Sequence, residues 1–222
     1  MLPHTSWKKG SFLAIGALAL IASKTTLASD NADEIAERIG SGNPVAGKVK
    51  SKSELCQGCH GEHGNSAAAE YPKLAGQYAE YISKQFRNFR SGERRHQVMN
   101  AMATTVDDAD LSDIAAYFAG NNKMKGDGTG DSEIARRLFV KGDMKRNIMA
   151  CISCHGEGGK GAFFGGETFP VIGGQHKFYL REQLLNWKTG MRTNSPGGVM
   201  NVIAKSLSED EIEALSNYLA GQ

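Results

Sequence analysis

The sequence predicts an all-α protein made of two tandem copies of one small helical domain. Three observations lead there. The word "CQGCHG" at 56 to 61 returns as "CISCHG" at 151 to 156 and uses all four cysteines of the 222-residue chain. The stretches that follow the two words match at a nearly constant offset. Apolar residues in both halves recur at helical spacing between N-cap and glycine stop signals, and no stretch shows a convincing strand alternation.

The first 28 residues stand apart. Lys8 and Lys9 precede an eleven-residue apolar run, Phe12 to Ala22, and small residues lead to Ala28. A basic start, an apolar core and a small-residue cut site read as a secretory signal, and the run falls short of the about 20 residues a membrane-spanning helix needs. Beyond it no run approaches membrane length, so the mature chain is expected to be exported and not membrane-spanning. Without Lys8, Lys9 and Lys24 the balance of 26 basic against 24 acidic residues becomes 23 against 24. Split at residue 125, the mature halves carry 12 basic against 13 acidic and 11 against 11. Neither is a basic patch, which argues against nucleic acid as a partner.

From residue 29 the order is a first domain to 121, a linker over 122–131 containing the aperiodic "GDGTGD", and a second domain over 132–222. In the first, Tyr78, Tyr81, Ile82, Gln85, Phe86 and Phe89 mark a helix over 78–91 that stops at Gly92. Its counterpart carries Tyr179, Leu180, Leu184 and Trp187 before Gly190. The last helix opens at Ser208 with Glu211 three residues on, a capping box, and runs to Gly221; Asp107 to Ala119 is its copy. Domains this small are marginal on protein core alone, so an apolar cofactor is expected to complete them.

On a helix, Cys56, Cys59 and His60 project from one face of one turn, as do Cys151, Cys154 and His155. Two thioether bonds can then hold a flat ligand while the imidazole reaches its central metal, and C-x-x-C-H is the attachment signal for c-type haem. Two covalently bound haem c groups are therefore expected. A zinc site would bring its C-x-x-C pairs about 15–20 residues apart, and a thioredoxin-like pair belongs in a βαβ setting. Neither fits.

The iron's other face needs a ligand, and the repeat register narrows the choice. The offset is 95 at the cysteines, 98 from "YPKLAGQYAEY" and "FPVIGGQHKFY" to Gly92 and Gly190, and 101 from "VMN" at 98–100 and 199–201 to the end. Met99 and Met200 coincide, whereas Met102 meets Ile203 and Met191 meets Glu93. Methionine also serves as a core filler. His96 and His63 are rival ligands in the first half, but Gly197 and Gly158 match them. Iron-bound imidazoles give their free N–H to a carbonyl; Pro72 and Pro170 are candidates to supply it, and both could equally just end a loop.

With these features in place, the chain resembles the dihaem cytochrome c4 family, two class I cytochrome c domains in tandem. The resemblance rests on "CQGCHGEHGNS", "YPKLAGQ", "LSDIAAYFAG", "CISCHGEGGKG", "FPVIGGQH", "MRTNSPGG" and "EIEALSNYLAG" and covers the whole mature chain. It implies a periplasmic electron carrier rather than an enzyme, working between redox partners such as a quinol-oxidising complex and a terminal oxidase and docking on membrane complexes. It implies His60 with Met99 and His155 with Met200 as axial pairs, and a pseudo-twofold that brings the haem propionates together across the domain interface. The stretch before the first haem word and "VKGDMKRNIMA" before the second are longer than that pattern.

Histidine–thioether ligation favours ferrous iron and leaves no vacant position for substrate. The alternative is the electron-accepting subunit of a dehydrogenase such as flavocytochrome c sulfide dehydrogenase, which has a similar two-domain build. A dihaem peroxidase needs an open iron and a longer chain, and a thiosulfate-oxidising cytochrome needs a fifth cysteine.

Overall fold

The computed structural model describes Met1 and residues 32–222. The expected secretory signal over 1–28 lies, apart from Met1, outside the described residues. Among these the chain forms eleven α-helices and one short hairpin.

The first half contains α1 (Ala32–Ile39), α2 (Pro44–Ser53), α3 (Cys56–His60), α4 (Ala79–Ser91), α5 (Gln97–Met102) and α6 (Asp108–Ala119). The second contains α7 (Glu133–Lys141), α8 (Ile152–His155), α9 (Lys177–Thr189), α10 (Val199–Ser206) and α11 (Glu209–Ala220). In each half a helix ahead of the cysteine word packs on the last helix, α2 on α6 and α7 on α11, and the long middle helix, α4 or α9, packs on that last helix too. The predicted helices differ from the observed ones only at their first residues, which become caps. Asp107 accepts from the Asp110 amide, and Ser208 forms a full capping box with Glu211.

Each half buries its own core: Ile82, Leu111, Ile114 and Phe118 in the first, Leu138, Phe139, Ile148 and Ile212 in the second. Helix α1 adds a layer with no copy in the second half. Its Arg38, 1% exposed, donates from Nε to the Ala119 carbonyl at 2.9 Å and so caps the free carbonyl end of α6.

Two differences from the sequence expectations stand out. The segment that carries the three-residue insertion after the second cysteine word forms a strand pair, β1 (Ala162–Phe164) and β2 (Glu167–Phe169), antiparallel with Ala162 opposite Phe169. The run "AFFGGETF" shows no alternation, but Gly165 and Gly166, both at positive φ, supply the two-residue turn such a hairpin needs. The second three-residue insertion coincides with the 3₁₀ turn Pro196–Gly198 ahead of α10. The linker, for its part, is tied down. Met124, 1% exposed, packs with Tyr78 and Val171 between the halves, while the Gly126 and Gly128 amides donate to the carbonyls of Gln222 and Gly221.

The α2–α6 contact is set by Gly47. A Cβ there would lie 1.8 Å from the Asp113 carbonyl oxygen and 2.9 Å from the Tyr117 Cβ, so only glycine lets the two backbones approach this closely. Gly47→Ala should therefore force the helices apart and destabilise the first half by about 1–3 kcal/mol. Thermal unfolding followed by circular dichroism should show an earlier transition with the second half's transition unmoved.

Candidate functional site

Each cysteine word folds into one tight helical turn, closed by a glycine. Gly61 and Gly156, with φ of 83° and 71°, end α3 and α8 in the left-handed region. This turns the chain sharply after the histidine and frees the next loop to fold back over it.

That loop is fixed at both ends. The Leu74 and Ala75 amides donate to the Gly64 carbonyl, and the Gly76 amide donates to Phe118 in α6. In the second half Ile172 and Gly173 donate to Gly159, and Gly174 donates to Leu219 in α11. The proline carbonyls are thereby aimed inwards. Nδ1 of His60 lies 2.8 Å from the Pro72 oxygen, and Nδ1 of His155 lies 2.9 Å from the Pro170 oxygen.

A carbonyl can only accept, so Nδ1 must carry the proton in both rings and Nε2 keeps its lone pair. Burial drives both imidazoles below the usual histidine pKa, against the opposing pull of the proline carbonyls. A neutral ring with a free Nε2 lone pair is what a metal requires.

All four cysteines are free and half-buried. Burial pushes the Cys56 and Cys151 thiols up to about 11. Redox-active C-x-x-C thiols are driven the other way, which argues against thiol–disulfide exchange. Cys56 sits with Leu74 and Phe86 against the first core, and Cys151 with Ile172, Leu184 and Ile203 against the second. Such an apolar rim around two thiols and an imidazole suits a flat macrocycle bound through thioethers. Among the described residues no three His, Cys, Asp or Glu side chains are grouped to hold a bare metal ion.

Met99 and Met200 occupy the first turns of α5 and α10 and are half-buried. Of the rivals, His96 caps α5, its Nδ1 accepting from the Met99 amide at 3.3 Å, and His63 is exposed. Met149 and Met191 are exposed on the surface, and Met124 belongs to the interface between halves.

Three pairs of residues escaped the sequence analysis. Asn100 and Asn201 directly follow the methionines. Their Nδ2 groups donate to Phe89 and Arg94, and to Trp187 and Arg192, pinning each methionine helix to the end of α4 or α9. The repeated word "VMN" contained the signal. Arg94 and Arg192, buried between the halves, and Gln77 and Gln175, in the repeated "GQ", are likewise matched across the two copies.

With this geometry in view, comparison with known proteins is decisive. The cytochrome c family model matches residues 45–121 and again 136–222. The chain is 38% identical to the cytochrome c4 of Thiocapsa roseopersicina, over 81% of this chain and 93% of that one. The chain belongs to the dihaem cytochrome c4 family. Cytochrome c4 is an electron carrier, and its tandem domains each bind a covalent haem c. The crystal structure of reduced recombinant cytochrome c4 from Pseudomonas stutzeri superposes with a TM-score of 0.75 at 36% identity, covering 82% of this chain and 99% of that one. The thiosulfate dehydrogenase electron acceptor of Stutzerimonas stutzeri strain A1501 is 35% identical, over 92% of both chains.

Replacing Asn201 by alanine removes both side-chain bonds that hold α10 to the end of α9 and the residues after it. The Arg192 carbonyl then loses its donor, at about 1–3 kcal/mol, and the Trp187 carbonyl keeps only the 3.4 Å bond from the Gly190 amide. Urea unfolding of Asn201→Ala should show a lower midpoint with an unchanged slope.

Proposed function

We propose that the chain is a periplasmic dihaem electron carrier in which Cys56 and Cys59 attach one haem and Cys151 and Cys154 the other. His60 and His155 would offer Nε2 and Met99 and Met200 thioether sulfur as iron ligands, and Pro72 and Pro170 hold the imidazoles in place. The observation that carries this is the histidine–proline bond, found at the same place in both halves and leaving the same nitrogen free.

The bound haem supplies a one-electron couple. The chain's residues do the rest. The thioether-forming cysteines fix the macrocycle's rotation, and the carbonyl at Nδ1 makes the imidazole a better donor. Soft sulfur raises the reduction potential relative to a second histidine. Two protein ligands per iron exclude substrate and water, which supports carriage rather than catalysis. Among the described residues no helix is long and apolar enough to cross a membrane. The expected signal over 1–28 supports export to the periplasm. There the carrier passes electrons from a donor such as a quinol-oxidising complex to an acceptor such as a terminal oxidase, through transient contacts burying under about 1,200 Å².

One observation favours a second reading, an electron acceptor dedicated to a dehydrogenase. The relative named thiosulfate dehydrogenase electron acceptor matches over nearly its whole length. This supports a thiosulfate-oxidising donor more than the flavoprotein sulfide dehydrogenase suggested by architecture alone. Reduction by a purified thiosulfate dehydrogenase with thiosulfate, set beside reduction by a quinol-oxidising complex, separates the two.

The purified protein should contain two low-spin haems per chain and show the near-infrared iron–sulfur band. Met99→Ala and Met200→Ala should each remove about half of that band and let the opened iron bind cyanide or imidazole rapidly, by analogy with any vacated ligand position. Unchanged spectra in both variants would overturn the assignment.

A further inference from the structure

The two halves meet through the same loops that hold the imidazoles, and they do so reciprocally. Gln175, 4% exposed, accepts from the Lys73 N–H at Oε1 and donates from Nε2 to the Lys73 carbonyl, both at 2.9 Å. Gln77, also 4% exposed, does the same to Val171, again with both contacts at 2.9 Å. The orientation of each side-chain amide is forced, because a backbone N–H only donates and a carbonyl only accepts. Each Oε1 also accepts from the amide of its own next residue, Tyr78 at 3.2 Å and His176 at 3.0 Å, which locks it in place.

The Lys73 N–H and the Pro72 carbonyl are the two ends of one peptide group. That carbonyl accepts from His60 Nδ1 at 2.8 Å. A continuous path therefore runs from the His60 ring through a single peptide to Gln175 in the other half. The mirror path runs from His155 through the Pro170–Val171 peptide to Gln77.

We propose that Gln175 and Gln77 are positioning residues that set the reduction potential of the haem in the opposite half. This rests on His60 and His155 being the iron ligands. An acceptor on the N–H end of an amide shifts electron density towards its oxygen and strengthens the bond that oxygen accepts, an effect of about 10–30% per bond. A stronger Nδ1–H···O bond makes the imidazole a better donor, and a better donor stabilises ferric iron and lowers the potential. Each half thus holds down the potential of its neighbour, and the two haems are coupled through hydrogen bonds as well as through space.

The test uses the holoprotein with both haems, each haem's potential being resolved by redox titration on haem-methyl NMR signals assigned to one half. Gln175→Met keeps the length and removes both bonds. It should raise the potential of the first haem, move the His60 Nδ1–H resonance of the ferrous protein upfield, and leave His155 and the second haem unchanged. Gln77→Met should give the converse pattern. Gln175→Glu keeps and strengthens the acceptor while losing the donor, and should move the His60 resonance downfield, so the inference remains testable if the methionine variants loosen the interface. Shifts confined to the variant's own half, equal shifts in both halves, or no shift at all would overturn it. An intact near-infrared iron–sulfur band in the variants shows that ligation itself survives, so failure of the coupling and failure of the ligand assignment give different results.

Discussion

Everything around the two sites follows from one requirement: a buried imidazole must be held neutral, in one tautomer, with Nε2 facing outwards. An unpaired ring nitrogen would cost about 1–3 kcal/mol and leave the ring free to turn. Helices cannot supply the partner, because their interior carbonyls are already used. The chain solves this with a proline-containing loop, whose carbonyls are free, and ties the loop to the last helix through the amide of Gly76 or Gly174. Ring orientation is thereby slaved to helix packing. The close α2–α6 contact and the capping by Arg38 act on the same element from which the loop hangs.

The interface extends the same economy. Arg94 and Arg192, 8% and 6% exposed, lie over the faces of Phe89 and Trp187 at 4.6 and 4.2 Å. Their acceptors are neutral: Gln85 and Gln183, with each guanidinium reaching the tyrosine hydroxyl of the opposite half, Tyr179 for Arg94 and Tyr81 for Arg192. Among the described ion pairs neither arginine has a carboxylate. Burying a guanidinium is costly, and the aromatic faces offset part of that. The two positive charges act in turn on the tyrosines: burial alone would raise the Tyr81 hydroxyl, yet Arg192 and Arg94 pull it below its ordinary pKa. So many directional contacts, most of them matched by a copy, fit together in one register only. That holds the two imidazole loops at a fixed separation, which a relay between two sites needs.

Much of this was legible in the sequence because it was local and written twice. The cysteine words, the helices, their caps and the pairing of Met99 with Met200 each needed only a window of residues and the repeat offset. The interface was not legible, although its residues were. Gln77 and Gln175 stand in quoted, matching words, and Arg94 and Arg192 match at the same offset. What they do depends on partners about a hundred positions away, with Gln77 meeting Val171 and Arg192 meeting Tyr81. No local pattern encodes that. The hairpin was missed for a different reason: three-residue strands are too short to show a period, and only the paired glycines announced it. The linker read only as an aperiodic stretch, and its glycines let it lie flat against the C-terminal residues.

Duplication also makes the differences between the halves informative. With the same candidate ligand set in each, any difference in potential has to come from burial, hydrogen bonding and exposure around the site. The structure shows where these diverge. The first half is wrapped by α1. The second instead carries the hairpin, with Phe163 and Phe164 42% and 49% exposed beside the cysteine word and Thr168 bonded across to Glu80. Lys73 Nζ reaches the Gly174 carbonyl, whereas Val171 at the matching position has no such group to offer. These unmatched contacts give the two sites unequal surroundings on an otherwise repeated frame. Unequal surroundings on one repeated ligand frame are the means by which two such sites acquire different potentials.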